Sequence, residues 1–176
     1  MKMTESPERD NCVTALQPLA GGRLLDFNGL AGDCSLAAVA AEWPPLDDWQ
    51  GAGFLGERQH ARRFQYLTLA GFSQAARVWF DQDRVMLVDL TDPALDWADV
   101  LALGDPAARI DTSWKGTAIP EGEWVYPNRG LSLHVRPATG KCFHLVAFAP
   151  TTLKDFLAEY QLIFDLTLRP ISLEEE

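Results

Sequence analysis

The sequence has few of the residues that usually identify a protein class at once. It contains only three cysteines, Cys12, Cys34 and Cys142, and no two of them form a Cys-x-x-Cys pair. An odd number of cysteines argues against a disulfide framework, so we expect reduced thiols and a cytoplasmic location. No apolar run approaches the roughly 20 residues of a membrane-spanning helix. Residues 1–10 lack the apolar core of a signal peptide, so we expect no leader.

Basic residues are scarce as well. The chain has 15 Lys and Arg against 25 Asp and Glu, which gives a formal charge of −10. Nucleic acid and anionic membrane surfaces are bound by clustered cations, so we expect neither as a partner. A basic protein would instead be attracted to this acidic surface. Acidity that serves only solubility is the alternative interpretation.

Histidine is rare, and its spacing predicts no metal site. His60, His134 and His144 are the only three, and they lack the HxH, HxxxH or HExxH spacing of a ligand pair. His134 and His144 fall on the two strands of one predicted hairpin and would be cross-strand neighbours, but a metal would need a third ligand. We interpret all three as structural and expect neither a metal nor a cofactor.

Two short motifs suggest chemistry but have simpler explanations. Asp81-Gln82-Asp83 has the form of an Asp-x-Asp metal motif, yet it lies between two predicted strands and lacks the glycine and glutamate of a calcium loop. Cys34 and Ser35 begin a predicted helix, where the helix dipole can activate a nucleophile. The segment 29–35 is neither a Gly-x-Ser-x-Gly motif nor a phosphate loop. Enzyme activity is therefore left open, and the sequence favours a protein without it.

The chain does have enough apolar material for one domain, because 47% of its residues are hydrophobic. Residues 1–20 are polar and without periodicity, which predicts a mobile arm, and residues 171–176 form an acidic tail. Residues 21–170 are expected to form a single α+β domain.

Capping and alternation signals divide this domain into helices and strands. Asp33 or Ser35, Asp96 and Thr152 are in position to cap three helices, and alternating or apolar runs predict the strands. The expected helices are 35–42, 96–103 and one that starts at 152, and the expected strands are 62–69, 75–80, 84–90, 124–126, 130–135, 141–148 and 162–168, with a loop over 47–56.

The order of these elements is similar in two segments, about 30–93 and 94–150. Each begins with a capped helix and ends with a hairpin followed by a proline, Pro93 in one and Pro150 in the other. We therefore predict an α+β fold with a single antiparallel sheet from two repeated helix-plus-hairpin units, and with the helices packed on one face. Chance recurrence of turn signals in an α+β chain is the alternative.

This element order resembles that of the tandem-repeat beta-lactamase inhibitor proteins over roughly residues 30–150. The segment 124–133 is also similar to small bacterial toxin-immunity proteins. The resemblance implies a sheet that presents a concave, aromatic-rich face to a protein partner. Those inhibitors are stabilised by disulfides and this chain has no evident cysteine pairs, so no residue roles are carried over.

Two sets of residues are candidates for recognition. Within the acidic stretch 81–99, Asp89 and Asp92 have no evident role in a turn or a cap, so they would contact a basic partner or form a solvated edge. Tryptophan is abundant, with six residues, and tryptophan, tyrosine and arginine are common at binding hot spots. The candidate binding residues are Trp49, Asp89, Asp92, Trp114, Trp124, Tyr126 and Arg129.

The leading hypothesis is a non-enzymatic protein-binding module, such as an inhibitor or immunity protein that neutralises a basic partner. The alternative is a small-molecule-binding protein or enzyme with a pocket on the concave face of the sheet, where Tyr66, Trp124, Tyr126, Arg129 and His134 would converge. A structural or assembly component is a third possibility, and the sequence does not set the oligomeric state.

Overall fold

The computed structural model describes residues 7–69, 71–72 and 75–162, without the side chains of residues 7–13 and 47–49. Its helices are α1 (Pro7–Ala20), α2 (Leu36–Glu42), α3 (Trp97–Ala102) and α4 (Leu153–Glu159). Its strands are β1 (Pro45–Leu55), β2 (His60–Leu67), β3 (Ala76–Asp81), β4 (Arg84–Thr91), β5 (Ala108–Trp114), β6 (Thr117–Tyr126), β7 (Leu131–Arg136) and β8 (Lys141–Phe148).

The strands form one antiparallel sheet of eight, in the order β1-β2-β3-β4-β8-β7-β6-β5. Two four-strand meanders, β1–β4 and β5–β8, lie side by side in this sheet and meet where β4 pairs with β8. Helix α2 precedes the first meander and α3 precedes the second. The predicted class, α+β with an antiparallel sheet, is confirmed.

The predicted helix caps are present. The Ser35 hydroxyl accepts a hydrogen bond of 3.1 Å from a backbone N–H in the first turn of α2, and the Asp96 carboxylate accepts one of 3.0 Å in α3. The Thr152 hydroxyl does the same in α4, at 3.1 Å. Each cap supplies an acceptor to an N–H that has none within its own helix. Asp83, at the turn between β3 and β4, adds a second acceptor for α2.

The two faces of the sheet are covered differently. On one face, which we call the helix face, Val88 and Leu145 of the central strands share an apolar core with Leu19 of α1, Val39 of α2 and Val100 of α3. The two helices that precede the meanders therefore pack on the same face, as predicted. The central strands β4 and β8 are apolar on both sides because both of their faces are covered.

Helix α4 packs on the opposite face, which we call the second face. Its Phe156 joins Trp79, Val146 and Phe148 in a separate core, so the expectation that all helices share one face is wrong for α4. The Gly56 N–H donates to the Gln161 carbonyl at 2.9 Å and fixes the end of this helix. Gly56 has φ +71, and a Cβ there would lie 2.0 Å from a carbonyl oxygen of α4, so only glycine allows this approach.

Several segments differ from the prediction, among them β6, which begins at Thr117 and not at residue 124. The part of the expected arm that the structure describes is α1, whose Leu16 and Leu19 are buried in the helix-face core. The expected loop over 47–56 is largely the edge strand β1, and β5 at the other edge was not predicted. Edge strands bury only part of their side chains, which weakens the alternation that identifies a strand. Beyond Leu162, the expected C-terminal strand and acidic tail lie outside the described residues.

The cysteines also depart from expectation. Cys34 takes part in a disulfide, so the prediction of reduced thiols is wrong for this residue, whereas Cys142 is free and buried. The cytoplasmic location was predicted from reduced thiols, so the disulfide removes the basis of that prediction. Among the described helices, none is long and apolar enough to span a membrane.

Candidate functional site

An irregular hairpin places an edge strand over the second face. The pairing of β5 with β6 shifts between Ile110 and Thr112, where β6 has extra residues. The backbone N–H of Glu121 in this bulge, which has φ +51, donates to the Asp111 carboxylate at 2.8 Å. A bulge of this kind bends a strand and redirects its side chains. As a result Thr112 of β5 reaches across β6, and its hydroxyl lies 3.2 Å from Nδ1 of His134 on β7.

Trp114, at the end of β5, reaches further still. Its ring lies 5.0 Å from Phe143 and 5.8 Å from His144, both on β8, although β6 and β7 separate the two strands in the sheet. The half-buried indole therefore stands over the middle of the second face and not at its edge.

Two adjoining cavities flank Trp114, and we call them together the Trp114 cleft. The first chamber has a volume of about 190 Å³ and the second about 390 Å³. The first chamber is lined by Tyr66, Ala75, Arg77, Asp89, Thr91, Trp114 and His144. The second chamber is lined by Asp92, Trp114, Lys115, Arg136, Thr139, Lys141 and Phe143.

A buried carboxylate organises the first chamber. Asp89 is 3% exposed and accepts two hydrogen bonds from Arg77, at 2.8 and 3.1 Å, and one from the Trp79 indole at 2.6 Å. Oδ1, which accepts one of the two Arg77 hydrogen bonds, also lies 3.0 Å from Nε2 of His144. Burial alone would raise the pKa of Asp89, but the hydrogen bond from His144 and the positive charges of Arg77 and His144 outweigh it and hold the pKa below its usual value.

A second carboxylate and histidine lie beside this group. Glu123, 2% exposed, accepts hydrogen bonds from Ser132 at 2.9 Å and from Gln161 at 3.0 Å. Burial raises its pKa, although these two hydrogen bonds oppose the shift. His134 lies 3.7 Å from Glu123, and burial, together with the charge of His144, lowers its pKa to about 3. Because burial disfavours the charged form of both groups, we describe this contact as polar and not as an ion pair.

The remaining cavities have fewer polar groups that could bind a ligand. A cleft of about 150 Å³ on the helix face is lined mainly by apolar side chains, among them Leu90, Leu95 and Leu145, with Asp92 the only charged group. Another, of about 230 Å³, has Arg23, Asp26 and Asp99 on its wall. Neither brings buried polar groups together, so the Trp114 cleft is the best candidate site in the described chain. Within the same residues, no group of three or more His, Cys, Asp or Glu is arranged to hold a metal.

The structure brings together only part of the predicted site. Asp89 lies beneath the cleft, Trp114 divides it, and Asp92 stands at its rim, exposed and 3.5 Å from Lys141. The interpretation of Asp89 as a surface contact for a basic partner is wrong, because its carboxylate is buried and fully engaged. Trp49 belongs to β1, and its side chain lies outside the described residues.

The other predicted residues have structural roles on the helix face. Trp124 and Tyr126 are buried in the core there, and the Tyr126 hydroxyl donates to the Gly104 carbonyl at 3.1 Å. Arg129 donates to the carbonyls of Leu25 and Phe27. The predicted convergence of these three residues with Tyr66 and His134 is therefore wrong. Trp124 and Tyr126 alternate with Glu123 and Val125 along β6, and that alternation places them away from the cleft.

Several residues of the cleft were not singled out from the sequence. Arg77, Thr91, Lys115 and Arg136 look like ordinary exposed positions at strand ends and turns. One signal was available: Asp89 is the single charge within the apolar run of β4, and a buried charge requires a partner. The expectation that His134 and His144 are cross-strand neighbours is confirmed, with ring centroids 5.6 Å apart.

Comparisons with protein-family models, with curated proteins and with solved structures found no match. The resemblance to beta-lactamase inhibitor and toxin-immunity proteins therefore stays a prediction, and the geometry of the Trp114 cleft is the main evidence on function.

Proposed function

We propose that this protein binds a small molecule in the Trp114 cleft. The observation that carries the proposal is the pair of chambers on the two sides of Trp114, lying over a network of fixed, buried polar groups. Ligand pockets usually combine an aromatic or apolar wall with a few convergent polar groups, and groups of shifted pKa often accompany them. The first chamber has this composition, with Trp114 and Tyr66 on its wall and Asp89, Arg77 and His144 at its polar side.

Binding is a better proposal than catalysis for this arrangement. Thr91, His144 and Asp89 follow the order of a nucleophile, base and carboxylate, but the Thr91 hydroxyl lies 3.5 Å from Nδ1 of His144. A hydroxyl activated by a base usually has a hydrogen bond of about 2.6–3.2 Å to it, and acyl transfer also needs an oxyanion-binding group. The Asp89 carboxylate is instead committed to Arg77 and Trp79, which gives the chamber a rigid wall.

The test is a screen of small organic molecules by ligand-observed NMR against the wild type and two tryptophan variants. Trp114→Ala removes the wall shared by the two chambers. Trp97→Ala is the matched control, because Trp97 is also half-buried but packs on the helix face. Compounds bound by the wild type should lose at least tenfold in affinity for Trp114→Ala and be unchanged for Trp97→Ala. Compounds bound equally by all three proteins would contradict the proposal.

The second candidate is the protein-binding module predicted from the sequence. It is favoured by β1, an edge strand on which Leu46 and Phe54 are 62% and 45% exposed, and by the formal charge of −10. In the described part of the chain, β1 is the outermost strand and bridges to Leu162 only at Leu55. Exposed apolar residues on such a strand suit a partner that adds a strand, and the net charge favours a basic one. Pull-down at low and high salt, with Phe54→Lys as the comparison, tests this. A partner whose capture depends on neither salt nor Phe54 would count against it.

We also propose that the two meanders arose by duplication of one helix-plus-sheet unit. The order of the sheet supports this, because the last strand of each meander lies at the centre and the first at an edge. The test is to superpose residues 30–93 on residues 94–150. Coincident strands, with α2 over α3, are expected, and strands that cannot be matched in order would contradict duplication.

A further inference from the structure

The second chamber is positively charged, although the molecule as a whole is negatively charged. The chain as a whole carries −10, yet this chamber is lined by three cations, Lys115, Arg136 and Lys141, against the single carboxylate of Asp92. The Lys141 ammonium lies 3.5 Å from the Asp92 carboxylate, so these two charges offset each other. Lys115 and Arg136 therefore give the chamber a net positive charge, and a cleft focuses such a field.

Arg136 lacks the acceptor that an arginine in such a position normally has. Its Nε is buried, and it meets no hydrogen-bond acceptor in the part of the chain that the structure describes. The guanidinium lies over the Phe143 ring at 5.5 Å, which holds its plane in place. A buried donor without an acceptor is costly, and the arginine fork matches the two oxygens of a carboxylate or phosphate. Arg136 also lines the second chamber, so an oxyanion there would pair with this guanidinium and neutralise its charge.

The aromatic wall beside Arg136 specifies a second part of the ligand. Trp114 packs at 5.0 Å from Phe143, and the Lys115 ammonium lies 5.9 Å from the centre of its indole. Because Trp114 lines the second chamber, a planar group in that chamber can stack on the indole beside the cations. Offset stacking of this kind is a favourable arrangement for an aromatic ring.

We propose that the Trp114 cleft binds a planar aromatic molecule that carries an oxyanion. The ring stacks on Trp114, and the carboxylate or phosphate pairs with the Arg136 guanidinium and the Lys115 ammonium. This inference rests on the proposed binding function and adds the chemical class of the ligand to it.

The test uses three probes that share one aromatic ring system: 2-naphthoate, its neutral isostere 2-naphthamide, and 2-naphthyl phosphate. Calorimetry at low ionic strength should show that one or both anions bind at least tenfold more tightly than the amide. The tighter of the two anions identifies the oxyanion that the site prefers. Added salt should weaken binding of the anions and leave that of the amide unchanged, because it screens the cations.

Substitution of Arg136 distinguishes the contribution of its charge to binding from that of the rest of the pocket. Arg136→Gln should reduce anion affinity at least tenfold and change amide affinity less than twofold, and Arg136→Lys should give an intermediate loss. Arg109→Gln is the matched control, because Arg109 also stacks on an aromatic ring, that of Trp124, but lies outside the cleft. Urea unfolding of each variant verifies that it is folded.

The outcomes distinguish the two proposals. Equal affinity for anion and amide, both reduced by Trp114→Ala, would overturn the inference and support the proposed binding function. Anion binding that Arg136→Gln leaves intact would also overturn the inference. Failure of all three probes to bind overturns it as well, and the fragment screen then decides separately whether the cleft binds any other small molecule.

Discussion

Two carboxylate–histidine pairs lie side by side on the second face, and their electrostatics are opposite. Asp89 faces His144 at 3.0 Å, and Glu123 faces His134 at 3.7 Å. All four side chains are at most 3% exposed, so burial alone would favour the neutral form of each group. Yet the pKa of Asp89 is lowered, whereas the pKa of Glu123 is raised.

The difference lies in the partners that each carboxylate has. Asp89 receives two hydrogen bonds from the Arg77 guanidinium, which is half-buried and carries a permanent charge. Glu123 receives only neutral donors, the Ser132 hydroxyl and the Gln161 amide. The hydrogen bond from His144 and the charge of Arg77 therefore hold the buried Asp89 as a charge, whereas Glu123 has only neutral donors, and the four predictions below test this comparison.

The largest effect is expected for Asp89→Asn. The amide would leave the buried end of Arg77 without its counter-charge, and removing one partner of a buried pair costs about 3–5 kcal/mol. The measurement is the free energy of unfolding in urea at neutral pH. A loss below about 1 kcal/mol would show that Asp89 is not held as a charge.

The next effect is a dependence on pH that arises at His134. Burial lowers its pKa from 6.5 to about 3, so between these values the unfolded chain binds a proton that the folded chain does not. Stability should therefore fall as the pH falls through this window, by about 2 kcal/mol between pH 7 and pH 5. Other ionisable groups, Glu123, His144 and Asp89, lie beside His134, so the wild type is compared with His134→Gln. Unfolding curves whose pH dependence is the same in both proteins would contradict the assignment.

A smaller effect is expected for Glu123→Gln. The buried carboxyl gains little from its charge, and a glutamine can still accept from Ser132 and pair with the Gln161 amide. The expected loss is about 1 kcal/mol or less, as for an exchange of one neutral hydrogen bond for another. Urea unfolding measures it beside Asp89→Asn. Equal losses in the two variants would mean that Arg77 does not distinguish the two pairs.

The smallest effect is expected for Asp92→Asn. Asp92 is exposed and pairs with Lys141 at 3.5 Å, and surface ion pairs contribute about 0–1 kcal/mol. Its φ of +47 also suits asparagine, which tolerates the left-handed region. The same unfolding measurement at low and high salt should give a small difference that salt removes. A loss as large as that of Asp89→Asn would indicate a role beyond the surface pair.

The sequence predicted the parts of the fold that depend on neighbouring residues. Ser35, Asp96 and Thr152 act as caps, and the hairpin turn at Asp81–Asp83 lies where its polar residues indicated. These features involve contacts within a few positions, which a local pattern records. The strands β1 and β5 were missed because an edge strand has no strict alternation.

The site was harder to predict because its residues are distant along the chain. Arg77 and Asp89 meet across one hairpin, but Trp114 reaches His144 only because the bulge in β6 bends the β5–β6 hairpin over the sheet. No local pattern specifies the direction of that bend. No local signal placed Trp124 and Trp114 on opposite faces, because β5 was not predicted and its pairing with β6 was therefore not assigned.

The pairing of β4 with β8 also has a consequence for folding. These strands are separated by about 50 residues and are the only hydrogen-bonded link between the two meanders in the described sheet. Until they pair, each meander has an open inner edge made of an apolar strand, which is a template for another chain. Strands that are so far apart in sequence pair slowly during folding. Two chains at high concentration can therefore exchange meanders through this seam and form a domain-swapped dimer with the same strand contacts as the monomer.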